Sequence, residues 1–332
     1  MPTGLLQIRG ELDLAQFWPA HGSDVDTIKV KVSADSFQFS PDPDQKPLKT
    51  TKVFADAVVK GATTKRAINK NIITIRAQDI DGLELHIAAM LRGKGLKENG
   101  KKFRQHLGET STIKLHDFLA RSTAATIPCE VVTRVNKPSD VFDTYGRLIG
   151  DVLVTLNGKQ ENINHWLVRK GWAFPAFYNS ASKDEITTVR RYAAEAKKAT
   201  RGIWKFLSQD VIHADTSLTF RPPSTKPKPE KDDGPAVIPK LFRRQVRFRV
   251  AKLNKLFSGA FRDYLTAQKD GWVKTSDFLK NPKIKPSQKS GNLSVLVDKK
   301  GNFTAGPGDI VFFEKPSTLI DSKGKKITSW AA

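Results

Sequence analysis

Three short charged segments stand at the ends of apolar runs: SDVDT (Ser23–Thr27), IRAQDIDGLELH (Ile75–His86) and DTYGR (Asp143–Arg147). Together they offer carboxylates at Asp26, Asp81 and Glu84 and guanidinium groups at Arg76 and Arg147. Phosphodiester hydrolysis uses parts of this kind. A hard cation takes carboxylate oxygens at a loop or strand end, with room for water. The attacking water needs a carboxylate that orients it or accepts its proton. Negative charge gathers on the equatorial oxygens in the transition state, and the fixed guanidinium fork meets it. Each segment alone also has a plainer reading. Asp-x-Asp-Thr serves as a strand cap, and an arginine on a strand serves as a solvated edge, because surface ion pairs are common.

The elements that must position these residues follow from hydrophobic period. TIKVKV sets Ile28, Val30 and Val32 against Lys29 and Lys31, the period of a half-buried strand. SFQFSPDPDQKPLKT is polar and proline-rich and predicts a loop. NIITIRAQDID predicts a strand from Ile72 to Ile80. GKKFRQHLGETSTIKLHDFLARS predicts an interrupted helical region. CEVVTRV and RLIGDVLV predict two more strands, joined by the exposed loop NKPSDVFDTYG. ENINHWLVRKGWA predicts a helix that stops at Gly171, and DEITTVRRYAAEAKKATRGIW a second helix closed by Gly202. FRPPSTKPKPEKDDGPAVIPK, rich in proline and mixed charge, predicts a stiff linker. Beyond it QVRFRVAKL alternates apolar and basic residues. NLSVLVDKKGNFTAGPGDIVFFEK and TLIDSKGKKITSW look like strand pairs, so the tail is expected to be β-rich.

The order and spacing of the charged segments, followed by DTYGRLIGDVLVTLNG, NINHWLVRKGWA and the closing RGIW, resemble the staphylococcal nuclease (thermonuclease) family over roughly residues 5–206. The resemblance implies an α+β fold: a five-stranded OB-fold barrel with about three helices. The expected organisation is a nuclease-like domain at 1–210 with an insertion at about 35–70, a Pro/charged linker at 211–236, and a small basic β-rich domain at 237–332. The insertion is read from the 49 residues between Asp26 and Arg76, more than compact family members need.

Carried over residue by residue, the resemblance makes Asp26 and Asp81 metal ligands, with the backbone carbonyl of Gly82 beside them and Ca2+ as the metal. It makes Arg76 and Arg147 the phosphate-contacting arginines, Glu84 the general base, and Tyr145 a nucleotide contact. Tyr178, in FPAFYNS, stands near where the family places an aromatic against the nucleotide; stacking is the usual device for single strands. The chain departs from the family in two places. Gly82-Leu83 replaces a proline common before the glutamate, and Thr144 stands where a lysine often precedes the tyrosine.

Bulk composition agrees with an anionic partner. The formal net charge is +22, and from Arg221 to Ala332 there are 24 Lys/Arg against 10 Asp/Glu. Such self-repulsion suits a chain that meets nucleic acid. The basic tail fits an accessory nucleic-acid-binding domain or a protein-docking or structural module. The lone Cys129, in TIPCEVVTRV, excludes an intrachain disulfide and a cysteine zinc site, and it reads as a buried strand residue. The histidines lack His-x₃-His spacing, and His86 reads as a surface or hydrogen-bonded residue. No uncharged apolar run approaches the ~18 residues of a membrane span. No signal peptide is visible at the N-terminus, so a cytoplasmic location is the expectation. The expected function is a Ca2+-dependent phosphodiesterase acting on DNA and RNA with low sequence preference, working as a monomer. Two alternatives stay open. One is a catalytically impaired OB-fold nucleic-acid-binding or scaffolding protein; the other is a binder of anionic membranes through the basic tail.

Overall fold

Period-two alternation builds the barrel. Strand Leu5–Asp13 pairs with Thr126–Arg134, which pairs with Leu148–Leu156, then Ile72–Ala77, then Thr27–Ser40, and Thr27–Ser40 returns to Leu5–Asp13. The barrel is therefore closed, with five strands and one parallel seam, Leu148 opposite Ile75. Closure removes the exposed edges that an open sheet would present. Inside it Leu6, Ile8, Ile28, Val30, Ile73, Ile75, Val131 and Val152 are all at most 1% exposed. Each such side chain contributes about 1.5–3 kcal/mol of apolar burial. The structure is a computed structural model and describes residues 3–14, 23–42, 46–122, 124–212, 215–222, 234–286, 292–314 and 317–330.

The chain divides into two compact units. The first comprises Met1–Gln78, Leu115–Trp166 and Lys315–Ala332 and holds the whole barrel; the second comprises Asp79–Lys114 and Leu167–Glu314. The segment expected as one strand to Ile80 is two strands, Ile72–Ala77 and Ile80–Gly82, separated by a turn with Asp79 at φ 60°. SFQFS, expected in a loop, continues the long strand Thr27–Ser40, because Phe37 and Phe39 are buried at alternate positions. The first unit also carries a hairpin inside the expected insertion: Val58–Lys60 pairs with Thr64–Arg66 and, on its other side, with Thr318–Ile320.

The predicted helices form at Gly108–Leu119, Ile163–Lys170 and Lys183–Lys198. The last begins with a reciprocal cap, Ser182 Oγ accepting from Glu185 N at 3.1 Å and Glu185 Oε2 accepting from Ser182 N at 2.7 Å.

Residues 237–332 mix helices and small sheets, a correction to the β-rich expectation. QVRFRVAKL lies in the helix Pro239–Leu253, and helices Phe261–Gln268 and Thr275–Lys280 follow. Val246, Phe248 and Val250 alternate as a strand would. The buried set Leu241, Phe242, Gln245, Val246 and Val250 has helical spacing, and Pro239 occupies the first turn, where its missing N–H costs nothing. This face packs into the second unit's core with Phe261, Leu265, Trp272, Phe303 and Phe312. A three-stranded sheet completes that unit: Ile310–Phe313 lies between Phe177–Tyr178 and Gly271–Lys274. Of the expected linker at 211–236, residues 213–214 and 223–233 lie outside the described residues. Among the described residues no helix is long and apolar enough to cross a membrane.

Candidate functional site

The first unit carries Asp26, Arg76, Tyr145 and Arg147. Strand register places Thr27 opposite Arg76, which sets Asp26 at the strand's mouth beside the arginine. Arg76 Nη1 donates to Asp26 Oδ2 at 2.9 Å, with each side chain 9% exposed. Arg76 Nη1 also donates to its neighbour's carbonyl, Ala77 O, at 3.2 Å. Arg147 enters from the turn before the Leu148–Leu156 strand. Its Nη1 donates to Thr27 Oγ1 at 2.9 Å and its Nε to Asp143 Oδ2 at 2.7 Å.

Asp143 organises this turn. Its Oδ1 accepts from Tyr145 N at 2.9 Å and from Arg147 N at 2.8 Å, while Asp143 N donates to Arg147 O at 2.8 Å. Gly146 sits at φ +78°, the left-handed region a tight turn of this kind requires. Tyr145 is 43% exposed, and the Arg147 guanidinium lies 5.9 Å from its ring centre. The arrangement is a pre-aimed guanidinium beside an exposed ring, which suits a phosphate and its attached base.

The second unit carries Asp81, Gly82, Glu84 and Tyr178. Asp81 and Gly82 lie on Ile80–Gly82, opposite Phe174 and Ala173. Gln105 clamps the Glu84 backbone: Glu84 N donates to Gln105 Oε1 at 3.2 Å and Gln105 N donates to Glu84 O at 2.7 Å. Between the two carboxylates reaches Arg243, from the helix Pro239–Leu253. Its Nη1 donates to Asp81 Oδ1 at 3.1 Å and its Nη2 to Asp81 Oδ2 at 2.9 Å, and Nη1 also donates to Glu84 Oε1. Asp81 is 1% exposed and the Arg243 side chain 24%. Burial opposes the charge on Arg243, but the Asp81 and Glu84 carboxylates, then Tyr178, outweigh it and hold the guanidinium protonated well above its usual range.

Within each unit the carboxylates already serve a guanidinium. Calcium takes six to eight oxygen ligands, whereas Asp81 gives both oxygens to a guanidinium and Asp26 gives one to Arg76. Among the described residues no group of three or more His, Cys, Asp or Glu side chains is placed to hold a metal ion. An internal cation meets the carboxylates instead.

Arg243 had no local signal in the sequence. It sits in RRQVRFRVAK, which reads as a basic surface, yet much of that basic run turns to acidic partners. Arg244 Nε donates to Asp270 Oδ2 at 2.8 Å, and Arg249 Nε to Glu98 Oε2 at 2.9 Å. Lys240 lies 3.6 Å from Asp270. Several other aromatic rings and His86 have ring neighbours. Trp166 stacks on Phe118 at 4.1 Å, Trp204 meets Phe174 edge-on at 5.1 Å, and His86 lies 5.7 Å from the Phe220 ring. Tyr178 is half-buried, 5.9 Å from the Phe312 ring. Burial, then Glu11 and Glu130, push the Cys129 thiol up to about 12, which removes it as a nucleophile near neutral pH.

The family described as Staphylococcal nuclease homologue matches residues 74–206. The match includes Arg76, Asp81, Glu84, Tyr145 and Arg147, and it leaves outside Asp26, the 58–66 hairpin and Arg243. A search of curated proteins finds no match to the chain. The family match and the closed five-stranded barrel agree, and part of this chain is a thermonuclease-like domain.

Proposed function

We propose that this protein binds nucleic acid through its thermonuclease-like barrel and acts as a binding or scaffolding module, with its carboxylate pair closed by Arg243. The observation that carries this reading is the double engagement of Arg243: a bidentate bond to Asp81 and a further bond to Glu84. A carboxylate whose oxygens already accept from a guanidinium has fewer lone pairs left to take a proton from water. The cationic side of the chemistry stays available. Arg147 is held toward its turn by Asp143 and Thr27, Tyr145 is exposed beside it, and the chain carries a net charge of +22.

A second reading is a Ca2+-dependent phosphodiesterase. It is favoured by the retention of Asp26, Arg76, Asp81, Glu84 and Arg147 in one chain. In that reading Arg243 must leave the carboxylates before a cation enters.

The test combines binding with cleavage. Fluorescence anisotropy with single- and double-stranded DNA and RNA is expected to show binding that weakens steeply with salt. Plasmid and RNA incubated with calcium are expected to remain as intact as with chelator. Calcium-dependent cleavage by the unmodified chain, abolished in Glu84→Ala, would replace the first reading by the second.

A further inference from the structure

The 58–66 hairpin lies in the expected insertion, outside the family-matched residues, and it is fastened to the turn that carries Arg147. Ala62 N donates to Thr144 O at 2.7 Å, Thr63 N to the same oxygen at 3.3 Å, and Thr63 Oγ1 to Tyr145 O at 3.1 Å. The approach is so close that a Cβ on Gly61 would sit 2.4 Å from Thr144 O. On the other side of the turn, a Cβ on Gly146 would lie 3.2 Å from Lys65 Cβ. Gly61 thus lets the hairpin and the turn meet backbone to backbone, and Gly146 leaves room for the Lys65 side chain.

The consequence is a groove of about 450 Å³ lined by Lys65, Arg66, Asn69, Thr74, Gly146 and Arg147. Among the described residues that line it, none is acidic. Lys65 and Arg66 are exposed. A concave wall of one sign of charge concentrates the field and draws in anions. Amide, hydroxyl and guanidinium donors on that wall suit phosphate oxygens, with the apolar Ala67 and Ile72 between them. Tyr145 stands exposed beside Arg147 and offers a ring for a base.

We propose that this groove binds the phosphodiester backbone of a single nucleic-acid strand, with Lys65 and Arg66 adding phosphate contacts to that of Arg147. The proposal rests on the nucleic-acid-binding reading above and assigns that binding a path. A flat lipid surface fits less well, because the cations line a concavity and no large exposed apolar side chain stands among the lining residues.

The test uses the full chain and fluorescently labelled single-stranded DNA and RNA of the same sequence, titrated at several salt concentrations. Vesicles containing phosphatidylserine form a separate arm. The variants are Lys65→Gln/Arg66→Gln, the charge-keeping Lys65→Arg/Arg66→Lys, and Lys299→Gln/Lys300→Gln, which are not among the lining residues, as a neutralising control. Thermal unfolding shows that each is folded. Loss of two phosphate contacts is expected to weaken binding roughly tenfold and to flatten the slope of log K against log salt by about 1.4. The charge-keeping variant should keep the slope, and the control outside the lining should change it little. If the unmodified chain binds both strands and Lys65→Gln/Arg66→Gln binds with the same affinity and slope, the groove is overturned and the binding reading stands. If the unmodified chain binds neither strand at low salt, both fall. If the neutralised pair loses vesicle binding only, the groove serves a membrane and the proposal is wrong.

Discussion

Arg243 lies flat against the carboxylate of Asp81, one nitrogen on each oxygen at 3.1 and 2.9 Å, although the two residues are 162 positions apart in the chain. Parallel N–H···O bonds of this kind are the strongest geometry an arginine and a carboxylate adopt. With Glu84 on the same guanidinium, one internal cation meets both the buried Asp81 and the half-buried Glu84.

Removing that cation should expose what it replaces. Arg243→Ala removes both guanidinium bonds from the buried Asp81, and the expected loss is about 3–5 kcal/mol, typical of breaking a buried ion pair. Calcium should then restore part of the loss in the variant, since an ion that binds only the native state stabilises it. Thermal unfolding with chelator and with calcium measures both effects. The unmodified chain should show no calcium shift; an equal shift in both proteins would mean that Arg243 does not occupy the cation's place.

Asp143 is the second point of leverage. It accepts two backbone N–H bonds and the Arg147 Nε, and it is 7% exposed. Asp143→Ala leaves those donors without an acceptor and should cost about 1–3 kcal/mol. It should also weaken nucleic-acid binding, because Arg147 loses the bond that aims it. Urea denaturation and anisotropy separate the two losses. Unchanged affinity in a folded Asp143→Ala protein would show that Arg147 needs no aiming.

Acid should loosen the second unit through Asp270. Burial alone would raise this carboxyl, but the hydrogen bond from Arg244 and the charge of Lys240 outweigh it and hold it below the usual carboxylate range. The folded value is therefore below the unfolded value of about 3.9. The stabilisation is present above about pH 4 and is lost as pH falls through the folded value, where the unfolded chain has already taken up its proton. Thermal unfolding followed from neutral pH into acid should show stability falling below about pH 4. Asp270→Asn should be less stable at neutral pH and flatter in acid. A parallel fall in the variant would move the cause elsewhere.

Much of the barrel was legible because one physical rule governs it. A strand with one buried face must alternate, and TIKVKV, CEVVTRV and RLIGDVLV do so. The helices around Trp166 and Ile186 were equally plain from their spacing and stop signals. QVRFRVAKL misled because Val246, Phe248 and Val250 satisfy a period of two, while burial of Leu241, Phe242 and Gln245 follows the helical period. Local pattern cannot choose between two periods that share residues; the core on which the segment packs chooses.

The sequence by itself determined which charged groups exist and that Asp26, Arg76 and Arg147 stand at the ends of apolar strands. Only the tertiary structure decided what each one faces. It placed Arg243 on Asp81 and Glu84, and it fastened the 58–66 hairpin to the Tyr145–Arg147 turn so that Lys65 and Arg66 line one groove with Arg147. The physical reason is that an ion pair depends on distance in space, which chain separation does not encode. The docking of the hairpin, in turn, rests largely on backbone hydrogen bonds and on the missing Cβ of glycine, neither of which leaves a pattern of side chains to read.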